Sequence, residues 1–134
     1  MILNFNHQFV GKIKAGTKVH TIRRDVHARW KPGIKIQLAM NARTRFYTQF
    51  DEKVCISVQD ITILYKNERG EVHFIIDNNF LLGIWDRFAP ENSINAEAIT
   101  EFVRNDGFDN VDEFLKWFKR DFTGRIIHWT EMRY

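Results

Sequence analysis

One cysteine in 134 residues excludes an internal disulfide, and Cys55 has no CxxC partner or Cys/His cluster from which to build a zinc site. No metal and no cofactor are expected. The opening MILNFNHQF lacks the cationic lead and apolar run of a secretory signal. No stretch approaches the ~20 apolar residues of a membrane span. The expectation is a soluble protein of a reducing, cytoplasmic compartment with no membrane partner. Repeats, low-complexity tracts and Gly/Ser/Pro linkers are also missing, so the whole chain (1–134) is read as one domain. Acid is nearly missing from the first third. Residues 1–45 carry ten Lys/Arg against the single acid Asp25, whereas residues 46–134 carry ten against sixteen, a contrast hidden in the net charge of +3. Two readings stand. A positive face can gather nucleic acid or nucleotides, or folding interleaves the two parts and neutralises them.

What the chain has is apolar mass. A hydrophobic fraction of 44% with twelve Phe is enough for a core that needs no staple. HQFVGKIKAG predicts a short helix with Phe9, Val10 and Ile13 inward, ended by Gly16 in a left-handed cap. KVHTIRR is then extended. The turn Lys31-Pro32-Gly33 precedes an alternation of Ile34, Ile36, Leu38 and Met40, a strand with one buried face. A long strand begins near Lys53, with Val54, Ile56 and Val58 on one face. Ile61 and Ile63 have the opposite parity, which predicts a bulge near Gln59-Asp60. Residues 67–70 turn the chain into a hairpin partner at 72–76. Two helices follow. The first is capped by Ser93 or Asn95, carries Ala98, Ile99, Phe102 and Val103, and stops at Gly107. The second is capped by Asn110, with Val111, Phe114, Leu115 and Phe118 inward. After Thr123-Gly124, RIIHWTEM closes as a strand. Pattern alone therefore predicts a small curved α+β sheet or barrel with helices at its edge.

The chemistry concentrates in GTKVHTIRR, residues 16–24, where Lys18, His20, Thr21, Arg23 and Arg24 follow Gly16 without an acid among them. A charged strand edge would look like this, and so would a site for an anion or a polar base. NARTRFYTQF, residues 41–50, interleaves Arg43 and Arg45 with Phe46, Tyr47 and Phe50. Cation beside stacking surface suits single-stranded RNA or a loose base, although a long hairpin whose aromatics cap the core explains it more simply. Trp30 and Trp85 can stack a base or fill the interior. The charges at Asp86-Arg87 read as surface pairs, and His20, His27 and His128 are too scattered for a metal site.

The order Gly16-x-Lys18-x-x-Thr21-x-Arg23 after a short helix resembles the ASCH domain family. So do Trp30-x-Pro32-Gly33 opening a strand, Asp106-Gly107-Phe108, and Glu113-Phe114 before the closing strand. The resemblance spans residues 5–132. It implies a PUA-like, curved, mostly antiparallel β-barrel with two or three peripheral helices. Similarity to the small bacterial N4-acetylcytidine amidohydrolases of that family implies Lys18, Thr21 and Asp106 as a catalytic set, with Arg23 at the motif's arginine. Two positions depart: Asp106 stands where those enzymes have Glu, and His20 where they have an apolar residue. Substrate or RNA contacts are expected from Gly16, His20, Arg23, Arg24, Trp30, Arg45 and Tyr47.

Chemically, a threonine nucleophile needs a base, and lysine serves only when neutral, through burial or nearby positive charge. Arg23, Arg24 and His20 are candidates for that charge, and Asp106 for relaying a proton or orienting the threonine. Residues 18 and 21 of a regular strand point to opposite faces, so the pairing requires a turn over 16–20. The plain alternatives are a solvated Lys18, a Thr21 filling a strand, and an Asp106 that only ends a helix. Three function classes remain open: an N-acylcytidine hydrolase, a non-catalytic RNA-binding module using the same basic cleft, and a protein-interaction adaptor with an unknown partner.

Overall fold

The structure, a computed structural model, describes residues 1–66 and 68–134. Among them are eight strands and three α-helices. In chain order these are β1 (Ile2–Asn4), α1 (His7–Ala15), β2 (His20–Arg23), β3 (Lys35–Met40), β4 (Thr48–Val54), β5 (Ser57–Lys66), β6 (Glu71–Ile76), β7 (Phe80–Asp86), α2 (Ala96–Asn105), α3 (Val111–Trp117) and β8 (Phe122–His128). A 3-10 turn, Pro90–Asn92, precedes α2. The fold is α+β, with one sheet ordered β1-β3-β4 and another β2-β8-β5-β6-β7. Among the described residues only the β1–β3 pair is parallel. Neither sheet closes on itself among the described residues. Cys55 and Ile56 carry the chain between the sheets: Cys55 N–H donates to Ile34 O and Ile56 N–H to His128 O, both at 2.8 Å.

Helix α1 forms as its residues require. The Asn6 side chain caps it by accepting from Gln8 N–H, Phe9 and Ile13 sit one turn apart on the buried face, and Lys12 and Lys14 face the negative end of the helix dipole. Gly16 ends it at φ 79° and donates to Ile13 and Lys12 carbonyls. Asn110 likewise caps α3 by accepting from Glu113 N–H. Against the expectation, neither Ser93 nor Asn95 caps α2 through its side chain. Ser93 Oγ accepts from Asp86 N–H, and Asn95 donates to Leu82 O.

The bulge expected near Gln59-Asp60 is not there. Register is continuous along β5 against both β8 and β6, and the chain instead breaks between β4 and β5. The inward face is Cys55, Ser57, Gln59, Ile61 and Ile63, while Val54 and Ile56 are 43% exposed. The apolar alternation pointed to the wrong face because two of the inward residues, Ser57 and Gln59, are polar. Register shifts occur instead at Leu38/Ala39 and Phe74/Ile75. Strands β1 and β7 have no counterpart in the sequence pattern, and β4 (Thr48–Val54) only the hairpin suggested over residues 41–50. Strand β8 begins before Thr123-Gly124, which pair with Thr62 and Ile61. Of the turn expected over 67–70, Asn67 lies outside the described residues; 68–70 do turn. Arg87 lies over the Tyr65 and Phe88 rings instead of pairing with Asp86, whose carboxylate accepts from Phe88 and Ala89 N–H.

The core joins the five-stranded sheet to the helices through aromatic rings. Phe74 of β6, Phe102 of α2 and Phe114 of α3 are fully buried, with mutual centroid distances of 5.8–5.9 Å. Phe114 also meets Phe108, which meets Phe9 of α1, each at 5.3 Å. This chain of edge-on contacts fixes α1 against the α2–α3 turn. Lys12 reinforces it, donating to Gly107 O and Asp109 Oδ1, both at 2.7 Å.

Gly107, at φ 97°, sits inside that joint. A Cβ there would lie 2.8 Å from Lys18 Cδ and 2.9 Å from Phe9 Cδ1. Gly107→Ala is expected to lower stability by about 1–3 kcal/mol through backbone strain and the clash. Urea unfolding of the pair of proteins checks this; an unchanged midpoint would place Gly107 in a looser joint than described.

Candidate functional site

The site forms where α1 ends, β2 begins and α2 stops. Past Gly16, the amides of Thr17 and Lys18 both return to Lys12 O, and Val19 N–H donates to Asn105 O at the last residue of α2. Strand β2 starts only at His20. Lys18 therefore lies in the turn and Thr21 on the strand, which satisfies the geometric condition for both to face one side. They do line one cavity, of about 260 Å³, together with Arg23, Arg24 and Asp106. Phe5, Phe9, Phe108, Trp117, Phe118 and Phe122 also line it, as do Asn4 and Asn6.

Lys18 is not the solvated lysine that a strand end usually carries. It is 2% exposed. Its Nζ donates to His20 O at 2.8 Å, to Asp106 O, and at 3.4 Å to Asp106 Oδ1. The Asp106 carbonyl is one of the acceptors left over at the C-terminus of α2, where a cation is favoured. Nζ also stands 4.9 Å from the Phe9 ring centroid. Burial pulls the Lys18 amine down to about 8; Asp106 opposes the shift, and Arg23 adds to it.

Arg23 donates from Nε to Thr21 Oγ1 at 3.3 Å and from Nη2 to Asn4 O at 2.8 Å, and its guanidinium lies 4.9 Å from the Phe5 ring centroid. Arg24 stacks on Phe122 at 5.4 Å. Lys18 and Thr21 are not hydrogen-bonded to each other. Asp106 does not orient Thr21, as the sequence suggested it could. Its Oδ1 holds Lys18 and His20 Nδ1, the latter at 3.1 Å.

Five expected ligand contacts lie elsewhere. His20 is fully buried behind Asp106, its pKa lowered first by desolvation, so it is a neutral structural neighbour of the cavity instead of a wall. Trp30 is in the core at 6% exposure. Gly16 is the exposed cap of α1. Arg45 and Tyr47 sit on the exposed 41–47 loop, away from the cavity. There the structure also corrects the core reading: Phe46 is 63% and Tyr47 41% exposed, and only Phe50 packs inward, edge-on to Phe5. Trp85 is half-buried and does not line the cavity.

Sequence reasoning missed the walls and the back of the site. Phe118, which helical period puts on the inward face of α3, is only half-buried, as is Phe122, and both border the cavity. Behind Asp106, His20 Nε2 meets Tyr134 Oη at 2.6 Å, and Gln59 bonds both the backbone of Tyr134 and His128. The one available signal was a polar Ser57 and Gln59 at inward parity. Among the described residues no cluster of three or more His, Cys, Asp or Glu could hold a metal ion. No helix among them is long and apolar enough to cross a membrane.

A lysine that folds at a pKa of about 8 and unfolds at 10.5 binds fewer protons in the native state between those values. Stability on this account rises with pH across that window and is lowest below 8. The stability of the wild type relative to Lys18→Met should therefore grow by about 3 kcal/mol from pH 7.5 to 10.5. Paired urea titrations across that range measure it; a constant difference would mean that Lys18 titrates as an exposed lysine does.

Compared with known proteins, the chain matches no family model, no curated protein and no solved structure.

Proposed function

We propose that the protein takes a single nucleobase or nucleoside into this cavity and hydrolyses the N4-acyl group of an acylated cytidine such as N4-acetylcytidine, releasing cytidine and acetate. The observation that carries the reading is the Lys18 amine, buried and lowered to about 8, in one cavity with the Thr21 hydroxyl. The cavity lies below the ~300–1,000 Å³ usual for drug-sized ligands, which favours a lone base or nucleoside over anything larger. Its aromatic walls suit a planar ring. Membership of the ASCH family, with its PUA-like barrel, belongs to the same proposal. It is supported by the motif order and by two sheets bridged at Cys55 and Ile56 with three helices around them.

In this scheme neutral Lys18 accepts the Thr21 proton as Oγ1 attacks the acyl carbon. The negative charge that develops on the carbonyl oxygen falls beside Arg23, whose Nε already reaches Oγ1. The Lys18 ammonium returns the proton to N4 as the C–N bond breaks, and cytidine leaves. Water then attacks the acyl-threonine by the same path, giving up a proton to Lys18 and restoring the hydroxyl as the acid departs. Asp106 and the two backbone carbonyls stabilise the ammonium whenever it forms.

Only free amine can act as base. With a pKa of about 8, roughly a tenth of Lys18 is neutral at pH 7, against less than about one part in a thousand for an ordinary lysine. Cytidine formation from N4-acetylcytidine, followed by chromatography, should give a kcat/KM that rises about tenfold per unit below pH 8 and levels above it. Lys18→Met and Thr21→Val should each lose about a hundredfold or more while remaining folded. Wild-type protein without turnover over pH 6–9 would remove the hydrolase reading.

One observation favours a second reading. The 41–47 loop presents Phe46 and Tyr47 to solvent beside Arg43 and Arg45, with the Arg45 guanidinium 4.9 Å from the Phe46 ring. Stacking surface with adjacent cations is what single-stranded RNA uses. Lys18 is too deeply buried to contact phosphate on that path. An RNA module would show affinity falling steeply with salt and lost on Arg45→Ala with Phe46→Ala; a nucleoside pocket would show neither.

A further inference from the structure

Behind the cavity runs a chain of hydrogen bonds whose direction can be assigned from its ends. Asp106 Oδ1 accepts only, so His20 Nδ1, 3.1 Å away, carries the proton. His20 Nε2 is then bare and accepts from Tyr134 Oη at 2.6 Å. Tyr134 Oη in turn accepts from Asn105 Nδ2 at 3.2 Å. Gln59 holds the tyrosine in place, accepting from Tyr134 N–H and donating to Tyr134 O, both at 2.9 Å. The remaining Gln59 bonds go to His128 Nε2 and Asp77 Oδ2, so no donor is left over to pull the segment elsewhere.

We propose that His20 and Tyr134 are positioning residues for Lys18: the bond from Tyr134 Oη to His20 Nε2, and from His20 Nδ1 to Asp106 Oδ1, shares that carboxylate oxygen and limits it to a long contact with Lys18. The distances agree, since Oδ1 lies closer to His20 Nδ1 than to Lys18 Nζ, 3.1 against 3.4 Å. A tyrosine donating into Nε2 sharpens Nδ1–H as a donor. The carboxylate so occupied offers less to the lysine, and the amine keeps its lone pair for Thr21. Without the His20 bond, Asp106 would turn fully to Lys18 and favour the ammonium. An apolar residue at 20 would do this; the histidine is what lets a buried Asp sit beside a lysine that must be neutral.

The groups around Lys18 are few. Asp106 faces it from the end of α2, Arg23 from β2 and Lys12 from α1. Around His20 stand Asp106, Lys18, the edge-on His128 ring at 5.2 Å and Tyr134. Burial holds His128 down to about 3 and pushes the Tyr134 phenol up, so neither changes charge between pH 6 and 9.

The inference rests on Lys18 as the base of the proposed reaction, but its test reads the lysine proton and not turnover. Lys18 Cε is followed by NMR against pH in wild type, Tyr134→Phe, His20→Leu and His20→Asn, and His20 nitrogen shifts are recorded in wild type. The expected tautomer is Nδ1-protonated. The Lys18 midpoint should lie near 8 in wild type and rise by roughly half a unit or more in Tyr134→Phe and His20→Leu. His20→Asn, whose amide reproduces the Nδ1 donor, should return it towards wild type. A purely structural role for His20 would not distinguish Leu from Asn in this way. An Nε2-protonated tautomer, or midpoints unchanged in folded Tyr134→Phe, would overturn the proposal; that variant removes one hydroxyl and decides the matter even where His20→Leu does not fold. Midpoints that shift in a protein with no hydrolysis would sink the enzyme reading and leave this inference standing.

Discussion

A lysine amine held out of water beside a carboxylate is the constraint on which this molecule turns. Burial of an ammonium without compensation is costly, so the surroundings of Lys18 must either neutralise it or satisfy its protons. Both are present. In the ammonium form, two backbone carbonyls take two of its N–H bonds, one of them the free acceptor at the end of α2, and Asp106 takes the third at a longer distance. Desolvation still outweighs the carboxylate in setting the amine, and the same Asp106 oxygen is also bonded to His20.

Much of the fold can be understood as the means of holding that arrangement. The α1 cap at Gly16 ends the helix so that Lys18 precedes β2 and does not join it. The Lys12 clamp on Gly107 and Asp109, and the ring contacts from Phe9 to Phe114, fix α1 to the end of α2. Gly107 has no side chain because Lys18 and Phe9 occupy its place. On the far side, β2, β8 and β5 set His20, His128 and Ser57 in one row by register, His20 opposite His128 and His128 opposite Ser57. The buried polar layer is thus a product of strand pairing.

Several parts were legible in the residues themselves. The 16–24 stretch, the helix ahead of it, its glycine cap, the Asn110 cap and the apolar faces of α2 and α3 follow from local rules of capping and period. The cavity brings Lys18, Thr21, Arg23 and Asp106 together with Arg24. Other parts were misread for definite reasons. Alternation in 54–63 was traced through Val54, Ile56 and Val58 because the true inward face carries Ser57 and Gln59. Of the two readings open for the aromatics at 46 and 47, the core one fails because the loop at 41–44 turns them to solvent, with Asn41 and Arg43 at positive φ.

The sequence by itself determined local things: where helices start and stop, which residue types stand at positions 18, 20, 21 and 23, and that an apolar core of this size needs no disulfide. Only the tertiary structure decided what those side chains do. The depression of the Lys18 amine, the neutrality of His20 and the link to Tyr134 depend on burial and on partners 86 to 114 residues away. Desolvation and hydrogen-bond direction are properties of an environment. No spacing along the chain encodes them until β2, α2 and the segment after β8 are brought together.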